Sequence, residues 1–219
     1  MAVVVLVRHG LTSATGKKLT GWSPGFHLSA EGRAQAERLA DRLAPAPIQA
    51  VYSSPLERCR ETAAPLARCL GLSVRVRPPL GEVRFGEWTG RSLAQLRRTA
   101  LWRRVQFAPS NVRFPGGESF VEVQKRAVDE VLRIAETHPD GVAAACSHAD
   151  VIKLVLAHFA GMHQDAFQRL VVDPCSVSVV AIADGIARVV KINDTGDLAH
   201  LAPAPRPRRP RPSGRKVRG

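Results

Sequence analysis

The stretch VVVLV at residues 3–7 limits the possible folds more than any other part of the chain. It is apolar at every position instead of every second one, which is typical of a central parallel strand that helices cover on both faces. The run stops at Arg8 and His9. Because ligands of open parallel sheets bind beyond the carboxyl ends of the strands, these two polar residues are candidates for a functional site.

Further strand-like runs alternate with helical patterns along the chain. Asp184-Gly185 joins two β-rich runs and predicts a hairpin, which adds an antiparallel strand. We therefore expect an α/β fold, a three-layer sandwich with a mostly parallel central sheet, one antiparallel strand and helices on both faces. The expected parallel strands cover residues 3–7, 48–53, 74–77 and 141–147, and expected helices cover residues 54–71, 119–138 and 150–160.

Local signals mark two helix starts. Ser54 is a good N-cap, and Glu57 completes a capping box three residues later. Further along, Glu118 and Ser119 of the GGES segment are expected to cap the next helix. The buried face of the helix after Ser54 is expected to hold residues at spacings of three and four, namely Leu56, Cys59, Ala63, Leu66 and Leu70.

Charge is distributed unevenly along the 219 residues. The formal net charge is +13, and residues 202–219 alone supply seven positive charges and no negative ones, which leaves six for the rest. Prolines spaced through this segment remove backbone donors while its like charges repel one another. We expect one domain over residues 1–201 and a disordered basic tail over residues 202–219.

The cellular setting is inferred from what the sequence lacks. The first segment has no run of the roughly 20 apolar residues that a membrane helix needs, and Arg8 interrupts it too early for a secretory signal. We expect a cytoplasmic protein with no membrane partner. The sequence leaves open whether the protein forms a homodimer. Reduced core thiols are favoured over disulfides or metal ligands for the four cysteines, Cys59, Cys69, Cys146 and Cys175.

Polar side chains follow several predicted strands at the same sheet edge. Arg8 and His9 follow the first strand, and Arg58 lies one turn into the next helix. Glu82 follows the third strand and His148 the fourth. Taken singly, each has a plainer explanation, such as a solvated loop, a structural histidine or an arginine paired within its own helix. Together, two arginines, two histidines and a helix N-terminus favour a site for a dianion such as phosphate.

Five segments in this order resemble the histidine phosphatase superfamily, the phosphoglycerate-mutase-like proteins: LVRHGLT, SSPLERCRETA, LGEVRFGEWTG, FPGGESF and CSHADV. The resemblance extends from residue 3 to about residue 198 and is greatest with small actinobacterial members described as probable phosphomutases. It implies that His9 is the nucleophile and becomes a phosphohistidine. It also implies that Arg8, Arg58 and His148 complete the phosphate pocket. Glu82 then corresponds to the residue that protonates the leaving oxygen and activates the incoming water or hydroxyl.

Two threonines and two tryptophans are further candidates. Thr15 stands where family members commonly carry an asparagine, so either its hydroxyl takes over that phosphate contact or the pocket is looser there. Thr20 is a candidate substrate contact. Trp22 and Trp88 are expected to form pocket walls. Variable side chains should meet the rest of the substrate, and their charge favours an acidic or multiply phosphorylated one: Leu11, Lys17, Lys18, Arg84, Arg103, Arg104 and Arg113.

The segment EVRFGEWTGRSL resembles the phosphatase branch of the superfamily. The expected function is therefore hydrolysis of a phosphomonoester in a small phosphorylated metabolite, without a cofactor, and a phosphomutase is the close alternative. A metal site of His9, Glu82 and His148 is disfavoured because the chain has no HExxH or comparable spacing. A third alternative is a non-catalytic anion or nucleic-acid binding protein that uses the basic tail, although that tail has no aromatic residue for base stacking.

Overall fold

The computed structural model describes residues 1–196, and its centre is a six-stranded sheet. The strands are β1 Ala2–Arg8, β2 Ile48–Ser53, β3 Val74–Val76, β4 Val142–Ser147, β5 Val177–Ala183 and β6 Ile186–Asp194. Their order in the sheet is β3-β2-β4-β1-β5-β6, so the apolar opening run lies inside it. Within the described residues β5 alone runs against the other strands, and the mostly parallel α/β fold is confirmed.

Helices cover both faces of the sheet, as predicted. They are α1 Ala30–Leu43, α2 Glu57–Cys69, α3 Leu93–Leu96, α4 Ala100–Phe107, α5 Phe120–Thr137 and α6 Ala149–Phe159. Val5 and Val7 of β1 pack in one core with α1 and α2, whereas Val4 and Leu6 pack in the other with α5 and α6. All four side chains are buried, which explains why the opening run is apolar at every position.

The register of β1 against β4 sets the position of the functional edge. Arg8 is paired with Ser147, the last residue of β4, so both strands end at the same level. Beyond them, the His9 backbone N–H donates to the Ser147 carbonyl oxygen at 3.0 Å, and His148 stands at the N-cap of α6. Residues from two distant segments of the sequence are thus brought to one edge.

The start of α2 differs from the prediction. The helix begins at Glu57, its N-cap is Leu56, and no side chain caps it. The hydroxyl of Ser54 instead accepts the Leu56 N–H at 3.3 Å and lies 2.9 Å from Nε2 of His148. The predicted capping box is therefore wrong, because Ser54 turns toward the functional edge.

Trp88 packs in the core and forms no pocket wall, contrary to the prediction. It is 4% exposed, its ring stacks on Trp102 with the centroids 6.3 Å apart, and it meets Phe114 edge-on at 5.3 Å. This aromatic cluster lies in the segment between β3 and α5. The indole is buried there because the segment forms its own apolar cluster, in which Trp88 packs with Phe85, Leu96 and Phe114 in one hydrophobic core.

Three of the four cysteines are buried, as expected, but Cys69 is exposed. It lies in the last turn of α2, outside the buried face of that helix, so the prediction of a core thiol is wrong for this residue. All four are free thiols. None of the helices formed by residues 1–196 has the length and apolar content that crossing a membrane requires. The predicted tail, residues 202–219, lies outside the described residues.

Candidate active site

One ring nitrogen of His9 is free of hydrogen bonds within the described residues, as a nucleophile would require. Its Nδ1 lies 2.8 Å from the carbonyl oxygen of Gly10. A carbonyl oxygen can only accept a hydrogen bond, so Nδ1 carries the proton and Nε2 keeps a free lone pair. The backbone thus selects the tautomer that nucleophilic attack through Nε2 requires.

Burial and positive charge keep both histidines of the site neutral. The pKa of His9 is lowered well below its usual value by burial and then by the charges of Arg58 and Arg8. Burial, followed by the Arg58 charge, lowers the pKa of His148 in the same way. The two imidazole centroids are 5.2 Å apart, so both rings experience one electropositive environment.

Arg8 and Arg58 are anchored by main-chain carbonyl groups and still have free N–H groups. Nη1 of Arg8 donates to the carbonyl oxygen of Val172 at 2.7 Å, and Nη2 of Arg58 donates to that of Gly21 at 3.0 Å. Among residues 1–196, the buried Nε of Arg8 and Nη1 of Arg58 have no hydrogen-bond partner. Unpaired buried donors are costly, and a phosphate oxygen is the kind of acceptor that would satisfy them.

His148 lies completely buried between Arg58, Glu82 and Ser54. Its Nδ1 is 3.2 Å from Nη2 of Arg58 and 3.5 Å from Oε2 of Glu82. Because a guanidinium group can only donate, Nδ1 accepts, and Nε2 donates its proton to the Ser54 hydroxyl oxygen at 2.9 Å. Ser54 therefore orients this ring, a role that its position before a helix did not reveal.

Glu82 is a carboxyl group that can gain or lose a proton near neutral pH. Burial raises the pKa of Glu82 to about 7, against the opposing charge of Arg58 and with a further contribution from Asp150. Its Oε1 accepts the backbone N–H of Val83 at 3.0 Å. A general acid or base works best when its pKa is close to the operating pH. In the described part of the chain, no group of three or more His, Cys, Asp or Glu side chains is arranged to hold a metal ion.

The backbone of Glu82 is held by Arg126 of α5, which uses all five of its N–H groups. Three of them donate to main-chain carbonyl oxygens, of Pro79 at 2.6 Å, Gly81 at 2.8 Å and Glu82 at 2.9 Å. The other two donate to the carboxylate of Glu118 at 2.9 and 3.0 Å. Arg126 therefore holds the turn that carries the candidate proton donor from outside the cavity.

Two predicted roles near this turn are corrected. Trp22 donates its indole N–H to the Glu82 carbonyl oxygen at 2.5 Å, and the Arg84 guanidinium lies 4.0 Å from the centroid of its ring. Trp22 thus supports the turn and does not line the cavity. Glu118 does not cap α5, because Ser119 does so. The Glu118 carboxylate instead accepts the Arg84 backbone N–H at 2.8 Å in addition to its ion pair.

A cavity of about 430 Å³ has His9 in its wall. Arg58 and His148 are buried behind this wall, where Arg58 is 1% exposed. Of the seven variable side chains predicted to contact the substrate, Lys18 lines the cavity and the other six do not. The cavity wall includes five of the predicted site residues, namely Arg8, His9, Thr15, Thr20 and Glu82.

The hydroxyl of Thr15 is engaged within its own turn. Its Oγ1 accepts the Thr12 backbone N–H at 3.0 Å and lies 3.0 Å from the Thr12 hydroxyl oxygen. Thr15 therefore closes the turn that follows β1 while it faces the cavity. Its contact with a phosphate, and the contact of Thr20 with a substrate, stay predictions.

Several residues on the cavity wall were not predicted. Asp150 and Lys153 lie in the first two turns of α6, just after His148, and Asp173 lies in the loop before β5. The helical spacing after His148 could have indicated the first two, since residues three apart share a helix face. The loop that carries Asp173 has no periodic pattern that would have placed it. Other wall residues are Leu19, Phe85, Leu93, Gln168, Leu170, Val171 and Val172.

Known proteins share this sequence pattern. The family profile of the Histidine phosphatase superfamily (branch 1) matches residues 4–195. The Bifunctional protein Rv2228c of Mycobacterium tuberculosis is 33% identical over 198 residues, which cover 89% of this chain and 54% of that protein. The chain thus spans about half the length of the mycobacterial relatives of this kind. GpmB of Escherichia fergusonii, named a probable phosphoglycerate mutase, is 29% identical over 209 residues, which cover 93% of this chain and 97% of GpmB.

A solved structure shares the fold. The mycobacterial glucosyl-3-phosphoglycerate phosphatase Rv2419c matches with a TM-score of 0.79 at 25% identity, over 88% of this chain and 98% of that one. The resemblance implied by the five sequence segments, including its actinobacterial character, is confirmed by these matches. Since the family profile covers nearly all of the described residues, the chain belongs to branch 1 of the histidine phosphatase superfamily.

Proposed function

We propose that this protein hydrolyses the phosphomonoester of a small phosphorylated metabolite through a phosphohistidine at His9. The observation that carries the proposal is the free Nε2 of a neutral His9 beside arginine N–H groups that have no partner within residues 1–196. Such an arrangement suits a phosphoryl dianion held next to a nucleophile. Family membership supports the same chemistry.

In the first step, Nε2 of His9 attacks the phosphorus atom in line with the ester oxygen. A P–N bond forms while the P–O ester bond breaks, and the carboxyl group of Glu82 gives its proton to the leaving oxygen. Arg8 and Arg58 stabilise the charge on the oxygens that are transferred. The lowered pKa of His9 keeps Nε2 unprotonated and reactive.

In the second step, water attacks the phosphohistidine. Glu82, now a carboxylate, takes a proton from the water, the P–N bond breaks, and its electron pair returns to Nε2. Inorganic phosphate then leaves. A Glu82 pKa of about 7 suits both steps, because the group can hold or release a proton near neutral pH.

A phosphomutase would share the first step and differ only in the acceptor, since a bound hydroxyl group would take the phosphoryl group instead of water. The named relatives include both a phosphatase and a probable mutase. We favour hydrolysis because the segment around Glu82, EVRFGEWTGRSL, resembles the phosphatase branch.

The test is a screen of the full chain against phosphorylated metabolites that records phosphate release and positional transfer together. Release that His9→Asn abolishes would support the proposal, and His158→Asn, at an exposed position of α6, is the matched control. Positional transfer without release would establish a mutase instead. Release by His9→Asn at nearly the wild-type rate would overturn the mechanism.

A further inference from the structure

Beyond Arg8, His9, Glu82 and the threonines, the cavity wall has two kinds of side chain. One part is apolar and suits a small carbon skeleton; it consists of Leu19, Phe85, Leu93, Leu170 and Val171. The other part is polar and carries charges of both signs, which would act on the substituents of a bound skeleton. It consists of Lys18, Asp150, Lys153, Gln168 and Asp173.

The charges of this second part balance one another. Lys153 Nζ donates to Oε1 of Gln168 at 3.2 Å and lies 3.6 Å from the carboxylate of Asp150. The positive charge of Lys153 is therefore already opposed by a neighbour. Two lysines and two aspartates line this part of the cavity, so it offers no net positive charge to a second anionic group of a substrate.

Asp150 is an acceptor without a close donor. Its side chain is 24% exposed, and within residues 1–196 its partner is Lys153 at 3.6 Å, which is longer than a hydrogen bond. Burial raises the pKa of Glu82 and the Asp150 charge adds to that rise, so Asp150 acts on the group that would handle the ester oxygen. Burial lowers the pKa of Arg8, and the charges of Glu82, Asp150 and Asp173 oppose that lowering. Asp150 and Asp173 would repel a second anion placed beside them, whereas they would attract a donor group.

We infer that the leaving alcohol of the substrate carries a hydroxyl or ammonium group near the ester oxygen, that this group donates to Asp150, and that the alcohol has no net negative charge. The substrate class is thus the monophosphates of polyols and amino alcohols, which share a donor suited to a carboxylate. The inference rests on the proposed function, because it assumes that the phosphoryl group is bound at His9. It replaces the expectation of an acidic or multiply phosphorylated substrate. Of the cationic side chains on which that expectation was based, Lys18 lines the cavity and the others do not.

Four esters of similar size test this assignment: ethyl phosphate, glycol monophosphate, phosphoethanolamine and phosphoglycolate. We expect kcat/KM for the better of the two donor-bearing esters to exceed that for ethyl phosphate about tenfold or more, as one hydrogen bond to a charged group would give. Phosphoglycolate should fall below glycol monophosphate despite its better leaving group. This ranking is measured on the wild-type chain and does not depend on how any variant folds.

Asp150→Asn identifies the residue that is responsible. It should reduce the ratio of kcat/KM for the donor-bearing ester over ethyl phosphate by about tenfold, and a larger loss with phosphoethanolamine than with glycol monophosphate would identify the donor as ammonium. Any change in the pKa of Glu82 acts on all esters and cancels in this ratio. Asp129→Asn, at a surface position where Asp129 pairs with Lys125, is the matched control and should keep the ratio.

The outcomes separate this inference from the proposed function. Three results would overturn the assignment of the substrate class and leave hydrolysis itself standing. They are a kcat/KM for ethyl phosphate equal to that for the donor-bearing esters, a higher kcat/KM for phosphoglycolate, and an unchanged ratio in Asp150→Asn. Absence of phosphate release from every ester in the series would count against the proposed function, and the inference would fall with it.

Discussion

Arg126 and Glu118 form a two-point ion pair, with N–O distances of 2.9 and 3.0 Å, that holds the backbone of Glu82 from outside the cavity. Neither side chain lines the cavity. The remaining N–H groups of Arg126 go to carbonyl oxygens of the turn from Pro79 to Glu82. We therefore expect the pair to affect catalysis by positioning Glu82.

Arg126→Lys should lower kcat more than it raises KM. Lysine replaces a five-donor fork by three donors, so carbonyl oxygens of the turn lose their partners and Glu82 shifts. We expect kcat to fall about tenfold and KM to change less than about threefold, because the phosphate contacts are untouched. The control in steady-state kinetics is Arg113→Lys, which alters an exposed Arg–Glu pair, that of Arg113 and Glu122. A pure KM effect, or equal losses in both variants, would show that the ion pair does not position Glu82.

The pH profile should report the titration of Glu82. Because the proton donor has a pKa of about 7, kcat/KM should fall as the pH rises through that value. Glu82→Gln should lower kcat for an alkyl phosphate by about a hundredfold or more and remove this alkaline limb. The loss should be smaller with p-nitrophenyl phosphate, whose leaving group needs no proton. An unchanged alkaline limb in Glu82→Gln would assign the titration to another group.

The stability of the fold should also depend on Glu82. Burial raises its pKa from the usual 4.5 to about 7, so between these values the folded chain holds a proton that the unfolded chain has lost. Stability is therefore lost as the pH rises through this window, by about 3 kcal/mol when the titration is complete. Glutamine does not ionise, so its stability lacks this pH dependence. The free energy of unfolding of Glu82→Gln, taken relative to that of the wild type, should therefore be higher at pH 8 than at pH 5. Urea unfolding at both pH values measures this, and a constant difference would mean that Glu82 is not desolvated.

Deletion of residues 202–219 should leave turnover unchanged, because the residues that line the cavity lie between Arg8 and Asp173. The seven positive charges of this segment would instead govern any binding of nucleic acid, in a salt-dependent way. Fluorescence anisotropy with a labelled oligonucleotide measures that binding. A full-length chain that does not bind at moderate salt would exclude the nucleic-acid alternative. Lost turnover in the shortened chain would show that residues 1–201 are not a complete catalytic domain.

The elements that were predictable are those with a strong local signal in the sequence. The apolar run before Arg8 places β1 inside a parallel sheet, and parallel strands end at one edge, so the neighbourhood of His9 and His148 follows from the order of strands and helices. Asp184-Gly185 gave the hairpin for the same reason, since a two-residue turn of this kind has a narrow choice of geometry.

The contacts that were not predictable depend on side-chain direction in three dimensions. Ser54 has the residue type of a helix cap, but the turn after β2 points its hydroxyl at His148. Arg126 is 44 residues from Glu82 in the sequence, and no local pattern connects them. Trp22 faces the Glu82 carbonyl oxygen and not the cavity, which a motif position cannot reveal.

Trapping the covalent intermediate tests whether His9 carries the phosphoryl group during turnover. The full chain is mixed with a substrate ester that carries radioactive phosphorus, quenched in alkali within its first turnover, and mapped by peptide mass spectrometry. We expect a label that is stable in alkali, is lost in acid and lies on His9, with none in His9→Asn and a normal amount in His158→Asn. Label on a residue other than His9 would contradict the phosphohistidine mechanism. So would a wild type that turns over without a burst and without bound label, together with undiminished turnover in His9→Asn.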